Sequence, residues 1–88
     1  MNAFRVDFTS SAQRDIAGLS PATRSRILAR IRWMGDNAAV IPHQALHGED
    51  WHGAFRFRVG DYRVVYRLDR TTRVLTILNV GHRRDVYR

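Results

Sequence analysis

The spacing of the apolar residues changes once along this chain, and that change constrains the fold more than any other feature. Up to about residue 35 apolar side chains recur at helical intervals after a short alternating start. From Ala54 onward they alternate with polar ones. Phe55, Phe57 and Val59 are interleaved with Arg56 and Arg58, and Tyr62, Val64 and Tyr66 with Arg63, Val65 and Arg67. A period of two belongs to strands that bury one face. Gly60-Asp61 splits the run as a two-residue hairpin turn. That loop sets Val59 opposite Tyr62, and then pairs 58 with 63, 57 with 64, 56 with 65 and 55 with 66. In this register Phe55, Phe57, Val59, Tyr62, Val64 and Tyr66 share one face, and Arg56, Arg58, Arg63, Val65 and Arg67 share the other. A slip of one residue scrambles both sets, so the clean division supports the register.

The same reading predicts strands over 55–59, 62–68 and 74–80, with a turn over 69–72. Upstream, Phe4, Val6 and Phe8 alternate with Arg5 and Asp7 as a short strand. Ser10 with Gln13 reads as a capping box that starts a helix running to about residue 19. Ser20-Pro21 supplies the cap and first-turn proline of a second helix, whose apolar stripe is Ile27, Leu28, Ile31 and Met34. Gly35 is placed to stop it. Residues 36–53 read as an ordered connection. The expected architecture is α+β: an N-terminal strand, a two-helix pair, and an antiparallel three-strand meander forming a sheet with the helices on one face. The 88 residues suffice for a single domain, 1–88, with one core.

Charge narrows the function. All 15 basic residues are arginine, and the net charge is +7. Residues 1–50 hold six Arg against five acids, and residues 51–88 hold nine against three, so nearly all the excess lies in the second half. Arg58 faces Arg63 in the predicted register, and like charges opposed across strands destabilise a sheet. Phosphates supplying the missing negative charge would account for the pattern, because guanidinium forks fit phosphate oxygens. The tail adds His82, Arg83, Arg84 and Tyr87. An aromatic there can stack on an unpaired base, and an imidazole can carry a proton near neutral pH.

Several chemistries find no support. The chain has no cysteine, hence no thiolate nucleophile or thiolate metal site. The acids are scattered, and His43, His47 and His52 recur without companion acids, so neither metal nor cofactor is expected. No segment reads as a signal peptide or membrane span, which predicts a soluble, cytoplasmic protein with no membrane partner.

The stretch from Gly53 through Phe55-Arg56-Phe57-Arg58-Val59-Gly60-Asp61-Tyr62-Arg63 to Tyr66 closely resembles the core signature of the RelE/ParE toxin superfamily. The later Val80-Gly81-His82-Arg83-Arg84-Asp85-Val86-Tyr87 resembles its C-terminal signature. The resemblance spans nearly the whole chain and implies a RelE-like toxin of a type II toxin–antitoxin system. RelE-type members enter the ribosomal A site and cut mRNA by attack of the ribose 2′-hydroxyl, leaving a 2′,3′-cyclic phosphate. By position, the resemblance makes Arg56, Arg58, Arg63, Arg83 and Tyr87 the catalytic set, while the arginine face and the basic tail make Arg56, Arg58, Arg63, Arg67 and Arg84 the expected RNA-binding residues. Arginine stays protonated and is a poor base, so Tyr87 and His82 are the candidates for proton transfer. The implied partners are a cognate antitoxin with an acidic or amphipathic segment and mRNA on the ribosome. A ParE-like toxin that inhibits DNA gyrase through protein contacts is the alternative.

Overall fold

A computed structural model of the chain describes residues 3–46 and 53–82. Its elements run β1 (Arg5–Phe8), α1 (Ser10–Ala17), α2 (Pro21–Asn37), β2 (Gln44–Ala45), β3 (Phe55–Val59), β4 (Tyr62–Asp69) and β5 (Val74–His82). The five strands form one mixed sheet in the order β1-β5-β4-β3-β2. The β3–β4 register is the one the alternation predicts, from Phe55 opposite Tyr66 to Val59 opposite Tyr62, with Arg58 opposite Arg63. β1 joins β5 in parallel, and that pairing makes the sheet mixed.

The helices cover one face. Ile27, Ile31 and Met34 of α2 and Ala12 and Ile16 of α1 meet Val59, Val64, Tyr66, Leu75, Ile77 and Val80 in the main core. Both helix starts are capped, but the first differs from expectation. Thr9 rather than Ser10 is the N-cap of α1, its Oγ1 accepting from Ala12 N at 3.1 Å, while Gln13 Nε2 donates back to Phe8 O. Ser20 caps α2 as expected, with Pro21 in the first turn. Arg24 donates to three carbonyls at and just beyond the end of α1, those of Ile16, Ala17 and Leu19.

Gly35 does not stop α2, which continues to Asn37. The glycine serves close packing instead. Phe4 N donates to Gly35 O at 2.8 Å, and a Cβ on Gly35 would lie 2.7 Å from Val6 Cγ2. A side chain there would push β1 off the helix.

Where β1 ends, α1 takes over its ladder. Thr9 Oγ1 donates to Leu78 O, Asn79 Nδ2 to Ser11 Oγ, and Val80 N to Asp15 Oδ2 at 2.9 Å. Beyond its last partner in β1, β5 stays paired with β4 as far as His82 opposite Tyr62, two residues beyond the expected end. A bulge at Leu78 lets β5 keep its apolar side chains on the core face on both sides of the irregularity.

Candidate functional site: an arginine-lined concavity on the open sheet face

The face opposite the helices carries the arginines. Gln44, Arg56, Arg58 and Arg63 line a concavity of about 350 Å³. β3 supplies Arg56 and Arg58 at alternate positions, β4 supplies Arg63 directly across from Arg58, and β2 supplies Gln44 across from Arg56. Gln44 Oε1 accepts from Arg56 Nε at 3.3 Å, which holds one guanidinium against the wall and leaves its terminal nitrogens available. Arg56 and Arg58 are exposed and Arg63 is half-buried. Among the described residues, neither Arg56 nor Arg58 is ion-paired with an acid. The concavity is a positively charged cup with several N–H donors around its rim, suited to an oxyanion such as a phosphodiester.

Alternation also predicts Val65 among these arginines, and the structure explains it. Val65 is fully buried on the open face beneath Leu46 and Ala54, with Leu78 packed beside it. This small second core stiffens the sheet under the cup. Arg67 lies on the same face, four residues along β4 from Arg63 and so about 13 Å away. It is exposed and stands in the row of Thr76 and Asp7, outside the concavity.

His82 is placed elsewhere. It stands opposite Tyr62 in the β4–β5 ladder, and the two rings meet edge to face with centroids 5.8 Å apart. Tyr62 belongs to the apolar face, so His82 points to the side of the sheet away from the arginine cup. Arg83, Arg84 and Tyr87 lie outside the described residues, as do His47 and His52.

Two residues that shape the site escape sequence reasoning. Gln44 sits on a two-residue strand, too short to show any period, inside what reads as a connection. His43 positions it. His43 Nδ1 lies 2.6 Å from the Tyr66 hydroxyl and Nε2 lies 2.8 Å from Ala38 O. A carbonyl only accepts, so Nε2 carries the proton and Nδ1 accepts from Tyr66. Burial pushes the Tyr66 phenol up to about 12, which keeps it protonated as the donor. Phe55 closes the cluster, 5.5 Å from the His43 ring. This chain of bonds pins the α2–β2 connection to the sheet and sets Gln44 against Arg56. The signal available in the sequence was His43-Gln44 directly after Pro42, where a turn meets a polar pair.

Comparison with known proteins is consistent across sequence and structure. A family model described as the ParE toxin of a type II toxin–antitoxin system, parDE, matches residues 6–87. Toxin RelG of Mycobacterium tuberculosis is 37% identical over 89 residues, covering 97% of each chain. The toxin–antitoxin complex RelBE2 from the same organism contains a chain that superposes with a TM-score of 0.81 at 30% identity, covering 94% of both. The isolated RelE toxin of E. coli shares the fold with a TM-score of 0.74 at 20% identity, over 97% of this chain and 92% of that one.

Proposed function

This chain belongs to the RelE/ParE superfamily of type II toxins, and from that premise we propose that it is a ribosome-dependent, metal-independent endoribonuclease that cuts mRNA in the A site to inhibit translation. The observation that carries this reading is the convergence of Arg56, Arg58 and Arg63 with Gln44 on one concavity of the open face. Arg58 and Arg63 stand directly opposite one another, an arrangement that costs stability unless negative charge lies near both. A phosphate placed between them removes the repulsion and gains charge-assisted hydrogen bonds.

The chemistry follows from those donors. The ribose 2′-oxygen attacks the adjacent phosphorus, the bond to the 5′-oxygen breaks, and the products are a 2′,3′-cyclic phosphate and a 5′-hydroxyl. The nucleophile comes from the substrate. Charge builds on the non-bridging oxygens in the transition state, and Arg58 and Arg63, from facing strands, are placed to grip it; removing one such donor typically costs about 10²–10³ in rate. Arg56, held by Gln44, orients the neighbouring phosphate. The proton leaving the 2′-hydroxyl needs an acceptor other than arginine. Because His82 faces the other side of the sheet, we assign to Tyr87, in a phenolate form favoured by Arg83, the uptake of that proton and its return to the departing 5′-oxygen, with Arg67 and Arg84 extending the backbone contacts.

A type II toxin has a cognate antitoxin. The described residues offer it an apolar surface along β1 and the helices, where Val6, Phe8, Ile16 and Leu28 lie between Gln13, Arg24 and Arg32. An amphipathic acidic segment suits that combination. No helix among the described residues is long and apolar enough to cross a membrane.

The match to a family described by its ParE toxin favours a second reading, inhibition of DNA gyrase by protein contacts. Brief expression of the toxin alone separates the two. Mapping of mRNA 5′ ends on ribosomes yields new ends within translated codons on the first reading, and DNA-damage signalling without new ends on the second. Arg63→Ala and Tyr87→Phe should each slow cutting while the fold persists; undiminished cutting by both sinks the site assignment.

A further inference from the structure

The helix-covered side of the sheet carries a second basic surface that the proposed cleavage chemistry does not use. Arg26, Arg30 and Trp33 fall at i, i+4 and i+7 on α2, forming a ridge along its flank over β3. All three are exposed, Trp33 at 41%. The Arg30 guanidinium carbon lies 4.6 Å from the centroid of the Trp33 ring and 5.4 Å from that of Phe57, and those two rings are themselves stacked at 6.3 Å. Stacking immobilises the guanidinium plane but leaves the N–H donors along its edge open to solvent. An arginine that only shielded Phe57 would not need an exposed tryptophan to fix it from a second side.

Arg26 joins this ridge to the hairpin tip. A Cβ on Gly60 would lie 2.5 Å from Arg26 Nη2, so the guanidinium lies across the β3–β4 turn in space that only glycine leaves. Gly60 also holds a φ of +59°, which the turn requires. Arg58 and Arg63 stand two and three residues from that glycine on the opposite face. The basic surface therefore runs from the concavity, around the tip at Arg26, to Arg30. Among the described residues neither Arg26 nor Arg30 has an ion-pair partner, although Asp61 sits in the same turn.

We propose that Arg26 and Arg30, with Arg30 clamped by Trp33 and Phe57, form a second phosphate-binding surface that grips the backbone of folded RNA beside the strand held in the concavity. Its choice of RNA over other polyanions rests on the endonuclease reading. The test is built so that the two fail separately. The probe is a 2′-O-methylated RNA hairpin, which lacks the nucleophile and cannot be cut, and the readout is the dependence of affinity on NaCl concentration. Each phosphate contact to duplex contributes about 0.9 to the slope of log K against log[salt]. Arg26→Gln with Arg30→Gln should lower that slope by about 1.8, so that the affinity lost between 50 and 200 mM NaCl shrinks about 12-fold relative to wild type. Arg26→Gln alone, which leaves the aromatic stack untouched, should lower it by about 0.9. Unchanged slopes for both variants overturn the proposal. So does an unchanged slope accompanied by lost affinity for the cognate antitoxin, which would make the ridge the antitoxin's seat. A reduced slope in a protein that cuts no mRNA upholds the surface and sinks the endonuclease reading.

Discussion

Arg58→Gln should make the toxin more stable and less active, and the size of the gain follows from the register. Arg58 is directly opposite Arg63, so their Cβ atoms are about 5 Å apart. At a separation of about 6 Å, two guanidinium charges would repel by about 0.7 kcal/mol in water without salt. Screening lengths of about 30 Å at 10 mM, 8 Å at 0.15 M and 3 Å at 1 M reduce this to about 0.6, 0.3 and 0.1 kcal/mol. For a domain of this size 0.6 kcal/mol corresponds to about 2–5 °C in Tm. Thermal unfolding of wild type and Arg58→Gln at the three salt concentrations should therefore show the variant more stable in 10 mM salt, with the difference vanishing by 1 M. In parallel, its mRNA cleavage should fall by about 10²–10³. A variant that is less stable at low salt refutes the electrostatic argument. One that cuts at the wild-type rate refutes the role of the cup.

Gly35→Ala should destabilise by about 1–3 kcal/mol in urea titration because the new Cβ meets Val6 and the Phe4 carbonyl; the sign is diagnostic, since in an open helix the same change stabilises. Arg24→Ala should cost about 0.5–1.5 kcal/mol by removing its hydrogen bonds to carbonyls at the end of α1, read by the same titration. Tyr66 gives a pH signature. Its phenol ionises near 10 when unfolded and at about 12 when folded, so between those values the unfolded chain holds fewer protons. Stability is then full below pH 10 and falls as pH rises towards 12, by about 2–3 kcal/mol in all, and Tyr66→Phe should remove that slope from denaturant midpoints measured across the range. Leu28→Asp, at the apolar surface beside β1, should weaken antitoxin binding at least tenfold in calorimetric titration without moving the RNA salt slope.

Much of this molecule is written in local patterns. Alternation around Gly60-Asp61 determined the β3–β4 hairpin to the residue, because a period of two and a two-residue turn admit one register that separates apolar from basic side chains. It thereby determined that Arg56, Arg58 and Arg63 share a face. Ser20-Pro21 likewise determined the start of α2. What local pattern did not carry is whatever depends on partners distant in the chain. Gly35 reads as a stop signal, yet β1 needs it as a contact surface. Gln44 enters the cup because a two-residue strand finds an open edge of β3, and His43 and Tyr66, 23 residues apart, hold it there. His82 turns from the arginines because a bulge at Leu78 shifts the parity of β5, and pairing with β4 then sets it opposite Tyr62. Backbone pairing propagates side-chain direction along a strand, so sequence suffices within a hairpin; which edges meet, and which helix covers them, is decided by burial across the whole chain.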